Sequence, residues 1–539
     1  MIVDATASFP PAGIAYFLFD VFFDYAQTNY SYVDECSLRQ KLQDFYTLTP
    51  VLGTHDAPWI CTVLMMFAVG TQFAHLSSRP HEHHSVELST GQEDAHSADD
   101  AVVLTFYHSA SRLIPDVIAA ASIDSVQAFL LLGVYALPID AAGLSCTYLG
   151  IAIRIATQNG MHRRYHKYLE PRQIELRNRI WWTAFTLERR ISVLHGRPVS
   201  VARSEVDSDL PTDFPELRPT TRIDTLPNVL AMIKLTDALE DARDKLLSLK
   251  KAPRKLRSTV FGSILQSKRE LQQYWQSLPD ATFCRDLTPD KPLFRFNVHL
   301  VLTYHLIHIF IGRSFIFNRT RASSPDTPIE QYLADWVETR NVLVAECVQS
   351  AEAVIDLCQV LHDEVGLARA SYTEFTSCCA AILAVLAQRI SAGPVGPAND
   401  LRLQSVCNKG IKLIKQLSVG IYSANSEKLA VEVLERALHR LDPRGHKEAS
   451  ESTRRSAYTQ FKDWAVLQQS EPGEREQASA LGHAGNLAPA SHNLDVPDFS
   501  QSSLLEGTEW YGDSGCNPFE LGELASVPGL DQLFEYGLL

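Results

Sequence analysis

Apolar residues recur at helical spacing almost without a break from residue 10 to about residue 440, and that pattern confines the chain to an all-α fold. The first such segment, "FPPAGIAYFLFDVFFDYAQTNY" at 9–30, opens on Pro10 and Pro11, which favour a helix start, and continues with a broad apolar stripe. "PWICTVLMMFAVGTQFAHL" at 58–76 is a second. Further helical patterns lie near 98–113, 122–137, 141–159, 226–250, 255–277, 291–318, 328–362, 367–392, 400–423 and 425–440. Alternating Val, Ile and Thr runs closed by tight Gly turns, the mark of strands, are nearly missing. No fixed solenoid period repeats. Between the early helices, "SSRPHEHHSVELSTGQEDAHSADD" at 77–100 reads as a polar loop.

Composition narrows the class. A hydrophobic share of 45% over 539 residues provides for a sizeable core, and a net charge of −14 excludes the whole chain from being a nucleic-acid coat. The ten cysteines are scattered, with no C-x-x-C pair, so they build neither a zinc tetrahedron nor a disulfide framework. Buried, reduced thiols in an intracellular protein are expected instead. The N-terminus holds Asp4 and no Lys or Arg before Arg39, unlike a secretory signal. The longest unbroken apolar run, 128–139, is too short for a bilayer and contains Pro138. The expectation is a soluble chain with no membrane partner, in which the sequons at Asn29 and Asn318 are incidental.

The character changes after about residue 443. A polar linker with one short helix pattern is expected at 441–494, and an acidic–aromatic tail at 495–539. The tail has nine acids and no Lys or Arg, with Trp510, Phe519, Leu530, Phe534 and Tyr536 set among them. Such a composition does not pack alone but lends an apolar face to a partner.

The most distinctive stretch is "RNRIWWTAFTLERRISVLHGRP", Arg177 to Pro198. Ile180, Ala184, Leu187, Ile191 and Leu194 form one helical stripe, Trp181, Phe185 and Glu188 a neighbouring one, and Arg179, Thr183, Thr186 and Arg190 lie opposite. Gly196 is placed to end the helix in the left-handed conformation, and Pro198 blocks its continuation. The periodicity describes a core helix with packed tryptophans, and with arginines that stay solvated or pair with acids.

The longer block "LRNRIWWTAFTLERRISVLHGRPVSVARSEVDSDLP" closely resembles the signature block of the fungal-specific transcription factor domain, the helical regulatory region of fungal binuclear zinc-cluster regulators. Arg179, Trp181, Trp182, Glu188, Arg189, Gly196, Arg197, Pro198, Asp207, Asp209, Leu210 and Pro211 carry the likeness. Upstream, "SIDSVQAFLLLGVYAL" and "YLGIAIRIATQNGMHRR" resemble the two helices that precede the block in that family. The resemblance is strongest over 100–215 and extends over 10–440. The family's six-cysteine zinc cluster is missing from this sequence, so no cofactor is expected in the chain. A member without the module and a gene model that lacks an upstream exon both fit.

Other motifs are ambiguous. "LKKAPRKLR" at 249–257 gathers Lys250, Lys251, Arg254, Lys255 and Arg257, which fits a nuclear import signal and a solvated helix–helix connection equally. "HRRYHK" at 162–167 is similar; either cluster suits weak, salt-sensitive phosphate contact at most. His75, His81, His83, His84 and His96 lack fixed metal-ligand spacing, so no metal is expected. Nucleophile elbows, phosphate-cradling Gly loops and dinucleotide fingerprints are all missing.

The resemblance implies a nuclear, pathway-specific transcriptional regulator of secondary metabolism or nutrient use, and not an enzyme. Its partners would be transcription machinery or co-regulators, DNA through a zinc module or a partner factor, a homo- or heterodimer mate, and a small-molecule effector held between helices. The alternatives are a non-DNA-binding co-regulator that partners a complete zinc-cluster factor, and an all-α enzyme.

Overall fold

A computed structural model describes residues 1–48, 50–78, 91–164, 169–219, 222–278, 287–289, 291–317, 328–368, 371–392, 397–417 and 432–437. Every regular element among them is helical, as the periodicity requires. The polar linker, the acidic–aromatic tail with Trp510, Phe519, Leu530, Phe534 and Tyr536, and His81, His83 and His84 lie outside the described residues.

The first group of helices comprises α1 (Ile2–Thr6), α2 (Ala12–Val21), α3 (Glu35–Leu48), α4 (Ala57–Phe73), α5 (Gly91–Ser111), α6 (Ile114–Ala120), α7 (Ile123–Asp140) and α8 (Cys146–Gln158). The π-helical turns Phe22–Ala26 and Ala141–Ser145 extend α2 and link α7 to α8. α4 is the centre of this group and packs against α2, α5, α6 and α7, while α7 packs against α8. Pro58 sits in the first turn of α4, where a missing amide hydrogen costs nothing.

The second group comprises α10 (Leu226–Lys251), α11 (Arg257–Ser277), α12 (Phe294–Arg313), α13 (Pro328–Glu364), α14 (Tyr372–Ala392) and α15 (Pro397–Leu417), with residues 432–437 also helical. α12 lies against α10, α13 and α14, and α14 continues the packing to α15. Between the groups runs α9 (Pro171–Leu194), which touches α7, α8 and α10.

Two expectations need correction. α5 begins at Gly91, inside the segment read as a loop to Asp100. Its first two turns are polar and carry no apolar stripe, so periodicity does not reveal them. The membrane argument from unbroken runs was also too narrow. By length and averaged hydropathy, residues 54–77, 123–140, 294–313 and 372–391 are each apolar enough to cross a bilayer. Between 72% and 89% of each such window is instead covered by protein, the other environment that an all-round apolar helix accepts. Of the described thiols, Cys61, Cys347, Cys358, Cys378, Cys379 and Cys407 are buried as expected, whereas Cys36 is exposed.

Close packing of α12 on α13 requires a glycine. A β-carbon on Gly312 would come within 2.5 Å of Cys347 Cβ and 2.7 Å of the Leu343 carbonyl oxygen. Gly312→Ala is therefore expected to destabilise the fold by about 1–3 kcal/mol, the usual range for an overpacked core. Gly150→Ala in α8, where a β-carbon meets nothing within 4 Å, is expected to be neutral or stabilising by about 0.5–1 kcal/mol. Chemical denaturation of the two variants checks both signs.

Candidate functional site

α9 begins with Pro171 at its first helical position and ends at Gly196. Gly196 takes φ +63°, the Arg197 amide donates to Ser192 O at 2.7 Å, and the Gly196 amide donates to Val193 O at 3.3 Å. This paired closure satisfies the last carbonyls of the helix, as the Gly-Arg-Pro sequence predicts.

From Arg179 to Val193 every residue of α9 is buried, including the face that carries Arg179, Thr183, Thr186 and Arg190. Trp181 lies 5.8 Å from the His162 ring and 5.9 Å from Phe185. Trp182 donates its indole N–H to Asp209 O at 2.8 Å, and the Arg203 guanidinium sits 5.0 Å above its ring. Both indoles are fully covered.

The polar residues of α9 act as clamps on neighbouring segments. The Arg179 Nε donates to Glu175 Oε1 at 2.8 Å, and its other nitrogens donate to Thr212 O and Leu217 O. Glu175 in turn accepts from the Thr212 amide and hydroxyl. These bonds lay the 207–217 segment along the N-terminal half of the helix, with Pro211 buried and Asp207 exposed. Glu188 Oε1 accepts from the Ser200 amide at 3.0 Å, the Ser200 hydroxyl at 2.8 Å and the Ser192 hydroxyl at 3.1 Å, which fixes the loop after Gly196, Arg197 and Pro198. Thr183 exchanges hydrogen bonds with the backbone of Ser31.

Arg189 and Arg190 both point inward. Arg189 pairs with Glu240 of α10, donates to Val201 O, and stacks 3.9 Å from the Phe185 ring centroid. Arg190 Nη1 donates to Tyr30 Oη at 3.2 Å and Thr373 Oγ1 at 3.1 Å. Close by, Glu374 pairs with Arg295 and accepts from His299 Nε2 at 2.8 Å. Burial alone would raise the Glu374 carboxyl, but Arg295, His299 and the Ala368 amide outweigh it and hold its pKa below the usual value.

The remaining candidates fall elsewhere. Lys250, Lys251 and Lys255 are exposed where α10 turns into α11, and Arg257 is half-buried with its Nε on Ala252 O at 3.2 Å. For Arg254 only the backbone is described. Arg163 and Arg164 pair with Glu205 and Asp209, so the acidic stretch after α9 already holds these two basic residues. His75 contacts Leu367 O at 3.2 Å. Among the described residues no group of three His, Cys, Asp or Glu converges on a metal position. The partners Glu240, Tyr30 and Thr373 were missed from sequence because each is remote from α9 and carries no motif of its own.

Residues 19–283 match the family described as the fungal specific transcription factor domain. An uncharacterized transcriptional regulatory protein of Schizosaccharomyces pombe is 28% identical over 387 residues, 71% of this chain and 45% of that protein. The thiamine repressible genes regulatory protein thi1 of the same yeast is 22% identical over 376 residues, 69% of this chain and 44% of that protein. Activator of stress genes 1 of Saccharomyces cerevisiae is 26% identical over 226 residues, 40% of this chain and 23% of that protein. The chain therefore spans less than half the length of these relatives.

The Arg189–Glu240 pair is testable by a double-mutant cycle. Glu240→Met alone is expected to cost about 3–5 kcal/mol, because it strands the buried Arg189, and Arg189→Met less, because Glu240 keeps its pair with Arg243. The double variant is expected to recover most of that loss by chemical denaturation. Additive losses would show that the two groups do not act as a pair.

Proposed function

We propose that the chain works as a nuclear, pathway-specific transcriptional regulator, through a fungal-specific regulatory domain related to those of fungal transcriptional regulators whose signature block is folded as the buried helix between two helical groups. The observation that carries this reading is the family match over 19–283, which spans α9 and both segments clamped to it. The relatives support it by being named as transcriptional regulators, one of them of thiamine-repressible genes. The helical body serves regulation and partner contact, including a dimer mate and a small effector. DNA contact comes through a zinc-cluster module or a partner factor.

Two further parts of the proposal concern the basic turn and the C-terminal segment. The basic turn at 250–257 is the nuclear import signal. The acidic–aromatic segment 495–539 recruits transcription machinery by burying Trp510, Phe519, Leu530, Phe534 and Tyr536 while its carboxylates steer it to basic partners.

A fluorescent fusion of the full chain is expected to accumulate in nuclei, and to spread into the cytoplasm when Lys250, Lys251, Arg254, Lys255 and Arg257 are replaced by Ala. Nuclear accumulation that survives the replacement removes the import role. Fused to a foreign DNA-binding module, residues 495–539 are expected to activate a reporter. Alanine at the four aromatics should lower that signal by about tenfold or more, since a few buried anchors dominate such interfaces. No activation, or activation indifferent to the aromatics, removes the tail from the proposal.

A further inference from the structure

The two adjacent arginines of α9 end in different electrostatic situations. Arg189 meets a carboxylate. Arg190 meets none among the described residues, although only 2% of it is exposed. Its Nη1 is anchored by Tyr30 and Thr373. Nε and Nη2, whose N–H bonds point side by side along one edge of the guanidinium, have no acceptor.

The surroundings do not supply the missing charge. Glu374 is already shared between Arg295, His299 and the Ala368 amide. Burial lowers the His299 pKa below its usual value, so the imidazole is uncharged at neutral pH. Burial pushes Tyr372 up to about 12 and raises Tyr32 well above the ordinary value, so both phenols keep their protons. An unpaired buried ion is among the most unfavourable features a fold can contain, whereas a paired one is acceptable.

Arg190 lines a cavity of about 50 Å³ together with Tyr30, Tyr32, Tyr372 and Thr373, and with Val134 and Leu137 of α7. We propose that this cavity binds a small organic carboxylate, held bidentately on the Nε and Nη2 edge of Arg190, with its carbon chain against Val134 and Leu137. Two parallel donors match the two oxygens of a carboxylate, the geometry at which Arg excels. One uncompensated positive charge matches one negative charge. At roughly 10–15 Å³ per water, the space holds on the order of four waters, which suits a short aliphatic acid and excludes a nucleotide. The proposal gives a ligand class to the regulatory body, and rests on the regulatory reading only in calling that ligand an effector.

The test uses the purified full chain, with thermal unfolding and titration calorimetry. The probes are acetate, propionate, butyrate, lactate and pyruvate, with propionamide and butyramide as neutral analogues and chloride and phosphate as inorganic anions. At least one carboxylate is expected to raise Tm by about 3 °C at a hundredfold excess over its Kd. The amides and inorganic anions are not. Arg190→Met should unfold no lower than the parent without ligand, since it removes a buried unpaired charge, and should lose the carboxylate response. Thr373→Val, which keeps the charge but removes one anchor of Nη1, should weaken binding by about tenfold. The proposal is overturned if no carboxylate shifts Tm, if the amides or chloride and phosphate shift it equally, or if Arg190→Met still responds. A null result leaves the nuclear and reporter readouts untouched, so the ligand and the regulatory role fail separately.

Discussion

α9 carries Glu175, Arg179, Glu188, Arg189 and Arg190 into the interior, and the surrounding structure answers each of these charges except that of Arg190. A buried ion without a partner costs several kcal/mol, so each charged group dictates what lies next to it. Glu175 and Arg179 draw in the 207–217 segment, Glu188 the loop at 196–201, and Arg189 the middle of α10. The helix acts as a strut because its polar side chains are clamps and its indoles are packing.

The same residue type has opposite uses a few dozen positions apart. Arg163 and Arg164 are half in solvent and pair with Glu205 and Asp209, where water screens the interaction and its worth is small. Arg189, covered by α10 and stacked on Phe185, is shielded from solvent, and separating it from Glu240 would strand its buried charge. The distinctive look of the α9 block therefore reflects an interior ionic scaffold.

Much of this was legible in the sequence, and what was missed has a common physical cause. Helix positions follow from the 3.6-residue period, and the end of α9 follows from Gly196 alone, because few other residues accept φ +63°. The burial of Trp181 was legible from the stripe that contains it. The arginines were expected to stay solvated or to pair with nearby acids; Arg179 pairs with Glu175, whereas Arg190 is buried without a carboxylate. α9 has helices or ordered segments around it, so most of its polar residues find partners within the protein. Their partners lie 51 residues away for Arg189 and 160 and 183 away for Arg190, distances that no local pattern encodes. The start of α5 was missed for the opposite reason: a helix without an apolar face has no period to detect.

The position of Arg190 gives its missing charge a consequence for the whole body. Tyr30 belongs to the segment after α2, and the same segment reaches α12 through Asn29, whose side-chain amide donates to Phe296 O at 3.0 Å. Thr373 lies in the first turn of α14, and the hydroxyl of Tyr372, which opens that helix, meets His195 at the end of α9 at 2.9 Å. Arg190 thus stands where the first helical group, the central strut and the second group meet within one set of hydrogen bonds. A ligand that neutralises it binds only when those three segments are together, so it stabilises that arrangement over any in which they separate. The bias reaches no further than the ligand's differential affinity for the two arrangements. A single buried guanidinium with an open edge is therefore sufficient to couple a small anion to the packing of α9 against its neighbours. The coupling requires no motion to be stored in the fold beforehand, only a charge that the protein itself leaves unanswered.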